Sequence, residues 1–313
     1  MRVYHDLKTV SERETAVALG CFDGLHIGHQ KVIAGVTSER GKGLVPAVFT
    51  FDASPLEQLQ GRGAPLLATN RRKTELLEGL GVECVYMPRF EEVWHMSARE
   101  FVEKVLCGVF RARMVSCGFN FRFGEGGRAD SAELTRLCAG LGIEVRVAPA
   151  VLVGGEPVSS TRIRRLIAEG DAEKAAVLLG RPFGFDFEVA HGRRLGRRLG
   201  TPTVNQRLPE NFVRPRFGVY ASAVTLPGGA RRIGVTNVGI RPTVKYDGIL
   251  AETMILDWSG DLYGKRVLVD LLRFLRPERK FGGLDEMKAA ILRDAETART
   301  AAEPYLQNQD AMI

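Results

Sequence analysis

The hydrophobic pattern of the chain changes at Gly180-Arg181-Pro182, and this change is the strongest constraint on its fold. Before it, short apolar segments alternate with helical patterns, which predicts βαβ units and a parallel sheet covered on both faces. From Phe183 on, apolar residues recur at every second position, as in antiparallel strands. The chain has 313 residues, enough for two hydrophobic cores. We therefore predict two domains, residues 1–180 and 181–313.

The two halves predict different architectures, α/β followed by β. In the first half, buried strands are expected at Glu14–Leu19, Gly43–Phe51, Glu83–Met87, Met114–Cys117 and Glu144–Ala150. In the second half, turns separate strands expected at Gly218–Leu226, Arg232–Val238, Ala251–Asp257 and Arg266–Phe274. Such strands predict a small antiparallel β-barrel. The amphipathic segment Leu284–Arg299 predicts a terminal helix that packs against it.

The stretch Gly20–Gln30, GCFDGLHIGHQ, joins the first predicted strand to a predicted helix. Such a turn points backbone N–H groups and the positive end of a helix dipole at one place, which suits phosphate. Gly24 and Gly28 permit backbone conformations and close approach that a Cβ would block. His26 and His29 should share a face of the first helical turn and could donate hydrogen bonds to oxygens that gain charge. The alternative is a glycine turn with two solvent-facing histidines.

Two further stretches follow predicted strands, where parallel sheets bind ligands. Asp52–Pro55 follows the second strand and Gly118–Gly127 follows the fourth. Within the latter, Asn120 could hydrogen-bond a ligand edge, and Phe121 or Phe123 could stack on a planar ring. The alternative is a turn whose phenylalanines fill the core.

The segment Val158–Glu169, VSSTRIRRLIAE, begins another predicted helix. Hydroxyl groups, free N–H groups and Arg164 at a helix start would make a second anion site, although an ordinary capped basic helix is the alternative. The hydroxyl residues are Ser159, Ser160 and Thr161.

The second half has its own candidate site in His191–Asn205, HGRRLGRRLGTPTVN. Its glycines make an arginine-rich loop able to wrap a polyphosphate, without the ending of a Walker A loop. Thr203 and Asn205 should lie on the same side of an extended segment, and their oxygens suit Mg²⁺. A basic hairpin is the alternative. Glu252, in a predicted strand, could accept a hydroxyl proton on the inner face of a barrel, or be solvated on the outer face.

These motifs resemble the bacterial bifunctional riboflavin kinase/FAD synthetases over nearly all of residues 14–300. H-x-G-H and S-S-T-x-I-R resemble the nucleotidyltransferase signatures of that family, and the strings from His191 to Phe281 resemble its riboflavin kinase domain. The resemblance implies a Rossmann-like nucleotidyltransferase domain followed by a riboflavin kinase barrel with a terminal helix. It implies phosphorylation of riboflavin to FMN, then adenylylation of FMN to FAD, with ATP and Mg²⁺.

The resemblance also implies roles for individual residues. Those expected to bind ATP during adenylyl transfer are Gly20, Phe22, Asp23, Gly24, His26, Gly28, His29, Ser159, Ser160, Thr161 and Arg164. Those expected to bind FMN there are Asn120 and Phe121. Those expected to bind ATP in the kinase half are Gly192, Gly196, Gly200, Thr203 and Asn205, the last two also holding Mg²⁺. Those expected near the kinase flavin are Arg276 and Glu278. Those expected to be catalytic are His26, His29, Arg164 and Glu252, the last as the kinase base.

The chain departs from the family pattern at Thr50–Pro55, where the usual T-F-x-P-H-P string lacks its histidine. A second interpretation is therefore a riboflavin kinase whose first half adenylylates poorly. A third is a nucleic-acid-binding protein, because the net charge of +7 attracts polyanions. The basic residues, however, cluster beside glycines, which suits nucleotide phosphates. We expect riboflavin, FMN and ATP as substrates and no nucleic-acid partner.

The remaining sequence features indicate a cytoplasmic enzyme. No apolar run approaches the ~20 residues of a membrane span, and the polar N-terminus lacks the core of a signal peptide. The five cysteines are odd in number and form no C-x-x-C pair, so we expect buried, reduced thiols.

Overall fold

The computed structural model describes residues 1–52, 63–190, 203–240 and 248–307. These residues form two compact units. The first contains residues 1–52, 63–64 and 70–159, and the second contains residues 65–69, 160–190, 203–240 and 248–307. The domain boundary at residue 180 stays a prediction.

The first unit is built on a parallel sheet of six strands in the order β1-β4-β3-β2-β5-β8. In chain order its strands and helices are β1 (Arg2–Tyr4), β2 (Thr15–Leu19), α1 (Ile27–Thr37), β3 (Val45–Phe49), α2 (Asn70–Gly79), β4 (Cys84–Tyr86), α3 (Ala98–Glu100, continued by a π-helix at Phe101–Val109), β5 (Ala112–Gly118), the hairpin β6 (Arg122–Phe123) and β7 (Ala129–Asp130), α4 (Ser131–Ala139) and β8 (Glu144–Ala148). A second short hairpin, β9 (Leu152–Val153) and β10 (Glu156–Pro157), ends this unit. The α/β prediction is confirmed.

The apolar strands sit between two layers of helices. All five residues of β2 are buried. Val17 and Leu19 belong to one core cluster with the π-helix of α3, and Ala16 and Ala18 belong to another with α1 and α2. Burial on both faces explains why Ala16–Leu19 are all apolar, since a parallel sheet covered by helices leaves none of its central strand in water. Thr15, the polar residue of β2, is buried with its Oγ1 donating to the carbonyl of Phe110 at 2.8 Å.

The second unit contains α5 (Ser160–Glu169), α6 (Ala172–Leu179) and an antiparallel sheet of seven strands in the order β11-β17-β14-β15-β16-β13-β12. The strands are β11 (Phe183–Phe185), β12 (Val189–Ala190), β13 (Thr203–Leu208), β14 (Gly218–Thr225), β15 (Arg231–Ile240), β16 (Ile249–Ile255) and β17 (Leu268–Arg276). The terminal helix α7 (Leu284–Gln307) packs Ala298 and Ala302 against this sheet. The antiparallel fold with a terminal helix is confirmed, and β13 forms a full strand where only an extended segment was predicted. Across the described part of the chain, no helix combines the length and the apolar character needed to span a bilayer.

All five cysteines are free thiols, as expected. Three are buried, but Cys21 is exposed and Cys107 is partly exposed, so the prediction of burial is wrong for these two. Cys21 lies in the turn after β2, outside the apolar segments that bury Cys84, Cys117 and Cys138.

Candidate active sites

The turn Gly20–His26 leaves the carboxyl end of β2 at the centre of the parallel sheet. Because β2 lies between β3 and β5, the chain builds the sheet outward from β2 in one direction through β3 and β4, then in the other through β5 and β8. Ligands of parallel sheets bind where the strand order reverses in this way. The fold therefore places the H-x-G-H turn at the sheet's expected binding position.

The backbone of this turn is strained. Phe22 and Leu25 have left-handed φ angles of 49° and 42°, and Gly24 between them has a φ of 77°. Such a conformation costs a non-glycine residue about 1–3 kcal/mol and persists only where the surroundings enforce it. Here the enforcement is burial, because both side chains are only 1% exposed. The expectation that Gly24 is needed for its conformation is confirmed.

The two histidines are stacked on each other. Their ring centroids are 3.6 Å apart and their planes differ by 16°. His26 is the N-cap of α1, and its Nδ1 accepts a hydrogen bond from the backbone N–H of His29 at 3.2 Å. Gly28 makes room for this cap, since a Cβ there would lie 3.2 Å from the His26 ring. The predicted shared face is confirmed, and the solvent-facing alternative is wrong for His26, which is 6% exposed.

The hydrogen bond and the surroundings favour neutral rings. An Nδ1 that accepts a hydrogen bond carries no proton, so the proton of His26 is on Nε2. Burial, then the neighbouring His26, then the Lys73 ammonium lower the pKa of His29 well below its ordinary value. Nδ1 of His29 is also buried without a hydrogen-bond partner among the described residues, a feature that in folded proteins often marks a functional group. His29 is thus suited to donate a hydrogen bond as a neutral imidazole.

Lys73 is a residue of this region that sequence reasoning missed. It lies on α2, is 4% exposed, and donates from Nζ to the carbonyl of Phe51 at 2.9 Å. The available signal was its spacing: Lys73 stands four residues before the buried Leu77, on the apolar face of the predicted helix.

The loop after β5 holds the predicted flavin contacts. Phe123 is buried against Phe101, with ring centroids 5.6 Å apart, and Phe121 stacks on Phe123 at 5.7 Å. The core alternative is therefore correct for Phe123, and its stacking on a ligand is wrong. Asn120 is exposed and Phe121 is half-buried, and their contacts with FMN stay predictions.

The S-S-T-x-I-R motif lies at the start of α5, which begins at Ser160, directly after Ser159. Thr161 is exposed, and Nε of Arg164 donates to the carbonyl of Pro65 at 2.6 Å. The ATP contacts of Ser159, Ser160, Thr161 and Arg164 stay predictions.

In the second unit, strand register brings three polar residues into one row. Asn205 of β13 pairs with Glu252 of β16, and Glu252 pairs with Asn237 of β15. Paired residues in an antiparallel sheet point to the same face, so the three side chains are direct neighbours. Thr203 lies two residues before Asn205 and therefore on the same face, as predicted. Asn237 was missed, although an amide inside the apolar segment GVTNVGI was a visible signal.

The structure decides the face on which Glu252 lies. Ala251 and Thr253 of β16 are buried on one face, whereas Glu252 and Met254 alternate onto the other. Met254 packs in the cluster formed with Ala298 of α7, so Glu252 lies on the face that α7 partly covers. Glu252 is therefore not on the inner face of the sheet. It is not merely solvated either, because it is half-buried and Asn205 beside it is only 7% exposed.

A glutamate after β17 reaches the same row. Nδ2 of Asn237 donates to Oε1 of Glu278 at 3.0 Å. Glu278 also lies so close over β15 that a Cβ on Gly239 would collide with its carboxylate. The row thus continues from Asn205 through Glu252 and Asn237 to Glu278. The contact of Glu278 with a flavin stays a prediction.

Arg276 is bound to the terminal helix. Its Nε and Nη2 donate to both carboxylate oxygens of Asp294, at 2.8 to 3.2 Å. Asp294 is 7% exposed, so this ion pair fastens the end of β17 to α7. A contact between Arg276 and the flavin stays a prediction.

Replacing Asp294 by Asn should lower the free energy of unfolding by about 2–3 kcal/mol. Breaking a buried pair leaves an uncompensated charge, which costs about 3–5 kcal/mol. We expect less because the Arg276 side chain stays 22% exposed. Urea denaturation measures the change, with Asp285→Asn at an exposed position of α7 as the matched control. Equal stability of both variants would contradict a structural role for the pair.

Some predicted residues lie outside the described ranges. They are Gly192, Gly196 and Gly200 of the predicted phosphate loop and the stretch after Asp52 up to Pro55. Among the described residues, no group of three or more His, Cys, Asp or Glu side chains could hold a metal ion. The oxygens of Thr203 and Asn205 instead suit Mg²⁺ that keeps phosphate and water ligands, and their contact with the ion stays a prediction.

Sequence comparisons match each half of the chain to a different enzyme family. Residues 8–162 match the FAD synthetase family model and residues 179–302 match the riboflavin kinase model. The bifunctional riboflavin kinase/FMN adenylyltransferase of Escherichia coli strain K12 is 35% identical over 302 residues, covering 96% of both chains. The protein of that name from Pseudomonas fluorescens is 36% identical over 307 residues, covering 97% of this chain and 98% of its own.

A solved structure shares the fold over most of the chain. A Streptococcus pneumoniae protein whose title is "macrolide-efflux protein" superposes with a TM-score of 0.84 at 28% identity, covering 95% of this chain and 98% of that one. The near-complete sequence matches to the two relatives, together with the two family models, establish the family. The chain belongs to the family of bifunctional riboflavin kinase/FMN adenylyltransferases.

Proposed function

We propose that this chain makes FAD in two steps, phosphorylating riboflavin to FMN with ATP and then transferring AMP from a second ATP to FMN, with release of pyrophosphate. The observation that carries the proposal is the row Asn205–Glu252–Asn237 in the region that matches riboflavin kinase. The stacked histidines at the centre of the sheet support the second step, since they lie in the region that matches FAD synthetase.

Adenylyl transfer needs no nucleophile from the protein, because the FMN phosphate attacks the α-phosphorus of ATP directly. The enzyme aligns the two substrates and stabilises the charge that spreads over the phosphates. The N-terminus of α1 and the neutral rings of His26 and His29 supply hydrogen-bond donors for this purpose. Arg164 adds a fixed positive charge, an assignment that rests on the S-S-T-x-I-R motif.

In the kinase step, Glu252 accepts the proton of the riboflavin hydroxyl that attacks the γ-phosphorus of ATP. Thr203 and Asn205 would hold the Mg²⁺ that accompanies ATP, and this ion would neutralise charge on the phosphates. Asn205 and Asn237 flank Glu252 on the neighbouring strands and restrict the position of its carboxylate, and Glu278 accepts a hydrogen bond from Asn237.

Replacing Asn205 by Ala should weaken the use of Mg²⁺–ATP in the kinase step only. The change removes a nearly buried amide oxygen beside Glu252, so we expect the Mg²⁺ concentration for half-maximal FMN formation to rise about tenfold. Titration of kinase activity with Mg²⁺ measures this. If the variant instead lost FAD formation from supplied FMN, the assignment of Asn205 to the kinase would be wrong.

Incubation with riboflavin and Mg²⁺–ATP, followed by chromatographic separation of the flavins, tests the whole proposal. Conversion through FMN to FAD is the expected result. Accumulation of FMN without FAD would favour the second interpretation, a kinase with a weak adenylyltransferase half. Absence of both products would overturn the proposal.

A further inference from the structure

A buried lysine lies in the region of the two histidines, and the adenylyl-transfer chemistry described above does not use it. Lys73 of α2 is 4% exposed, and its Nζ donates to the carbonyl of Phe51, two residues after β3. An ammonium is costly to bury unless nearby charges and hydrogen bonds compensate for its lost hydration. Its retention at this position therefore needs a reason beyond filling space.

The acidic groups near Lys73 come from the ends of two central strands. Burial lowers the pKa of Lys73, and Asp23 and Cys21 after β2 and Asp52 after β3 raise it by less. Oδ1 of Asp52 is buried without a hydrogen-bond partner among the described residues. The ammonium is thus held where the two strand ends bring their acidic groups together.

Hydrogen bonds join the same elements. Oγ1 of Thr50 donates to the carbonyl of Cys21 at 2.8 Å, which links the ends of β3 and β2. Nδ2 of Asn70, in the first turn of α2, donates to the carbonyl of Asp52 at 2.7 Å. With the Lys73–Phe51 bond, these contacts fasten α2 to the strand end that lies beside the H-x-G-H turn.

We propose that Lys73 is a positioning residue for adenylyl transfer, whose buried ammonium fastens α2 to the ends of β2 and β3 beside the H-x-G-H turn. The inference rests on the proposed function of the first unit. A nearby positive charge disfavours a second one on the imidazole, and Lys73 acts on His29 in addition to burial and His26. Protonated His29 would put charge into a buried ring stack, so FAD synthesis should fall as the ring is protonated.

Removing the Lys73 charge should therefore raise the pKa of His29. The acid limb of the pH–rate profile for FAD synthesis should then move to higher pH. Two variants separate charge from hydrogen bonding. Lys73→Gln retains a donor for the Phe51 carbonyl but loses the charge, and Lys73→Met loses both. Lys31→Met, at an exposed position of α1, is the matched control.

The test uses the full chain supplied with FMN and Mg²⁺–ATP across a range of pH. The pKa of His29 is followed by NMR, with its signal assigned by comparison with His29→Ala. We expect Lys73→Gln and Lys73→Met to raise the pKa of His29 and to shift the acid limb equally, so that the loss of FAD synthesis grows as the pH falls below neutral. Lys31→Met should change none of these.

If Lys73→Gln made FAD at the rate of the unmodified chain and left the pKa of His29 unchanged, Lys73 would be only a structural hydrogen-bond donor. The inference would then be overturned. Failure of the proposed function looks different, because the unmodified chain would then make no FAD. The NMR titration would in that case still decide whether Lys73 controls the charge of His29.

Discussion

Glu252→Gln should remove most FMN formation while FAD formation from supplied FMN persists. Glutamine keeps the size and hydrogen-bonding geometry of the side chain but cannot accept the hydroxyl proton. General-base catalysis typically contributes about 10²–10⁴-fold, so we expect a loss of kinase turnover in that range. The neighbours Asn205 and Asn237 can each still pair with an amide, so the row itself should remain intact.

The matched control is Glu188→Gln, which removes an exposed carboxylate from the same unit. It should retain normal kinase turnover. Near-normal FMN formation in Glu252→Gln would show that the carboxylate is not the base. A parallel loss of FAD formation from FMN would instead indicate damage beyond the kinase site, and a melting curve would reveal it.

The position of both candidate sites along the chain could be predicted, because local pattern determines it. The apolar run before Gly20 predicts a buried strand. The glycines and the helical pattern after it predict a turn at the carboxyl end of that strand, followed by a helix. Helix capping is equally local. The Ser97 side chain accepts a hydrogen bond from the backbone N–H of Glu100, and the Glu100 carboxylate accepts one from the backbone N–H of Ser97. Asp130 caps α4 in the same way, accepting from N–H groups of the first turn. Each of these features depends on residues a few positions apart.

The contacts between distant residues could not be predicted in the same way. A shift of one residue in register moves every side chain of a strand to the other face, and the sequence of β16 alone does not specify its pairing. The neighbours of Glu252 are therefore a result of the folded sheet. The pair of Arg276 with Asp294 and the burial of Lys73 likewise depend on how a helix packs on a sheet.

The departure from the family string at Thr50–Pro55 bears on the adenylyl-transfer step. Asp52 is the last described residue before the position of the missing histidine. Its carbonyl accepts a hydrogen bond from Asn70, and its carboxylate interacts electrostatically with Lys73. The strand end that leads into the altered segment is therefore well fixed. The adenylyltransferase half retains its stacked histidines and its strained turn, which favours an active second step over a degenerate one.

His29→Ala should reduce FAD synthesis from FMN and ATP by about 10²–10³-fold, the usual cost of removing one preorganised donor. The variant is a clean test because the N-cap of α1 uses the backbone N–H of His29 and not its ring. His26 should therefore still cap the helix, and only the ring stack is lost. His26→Ala, in contrast, would remove the cap as well, with an additional loss of stability of about 1 kcal/mol.

Riboflavin phosphorylation should remain almost intact in His29→Ala, since the row around Glu252 belongs to the second unit. The expected product is FMN that accumulates without FAD. His95→Ala, which removes an exposed imidazole from the first unit, is the control and should make FAD normally. If His29→Ala also made FAD at the normal rate, the stacked histidines would be structural residues of a strained turn, and the charge on the phosphates would have to be stabilised by the N-terminus of α1 and by Arg164 instead.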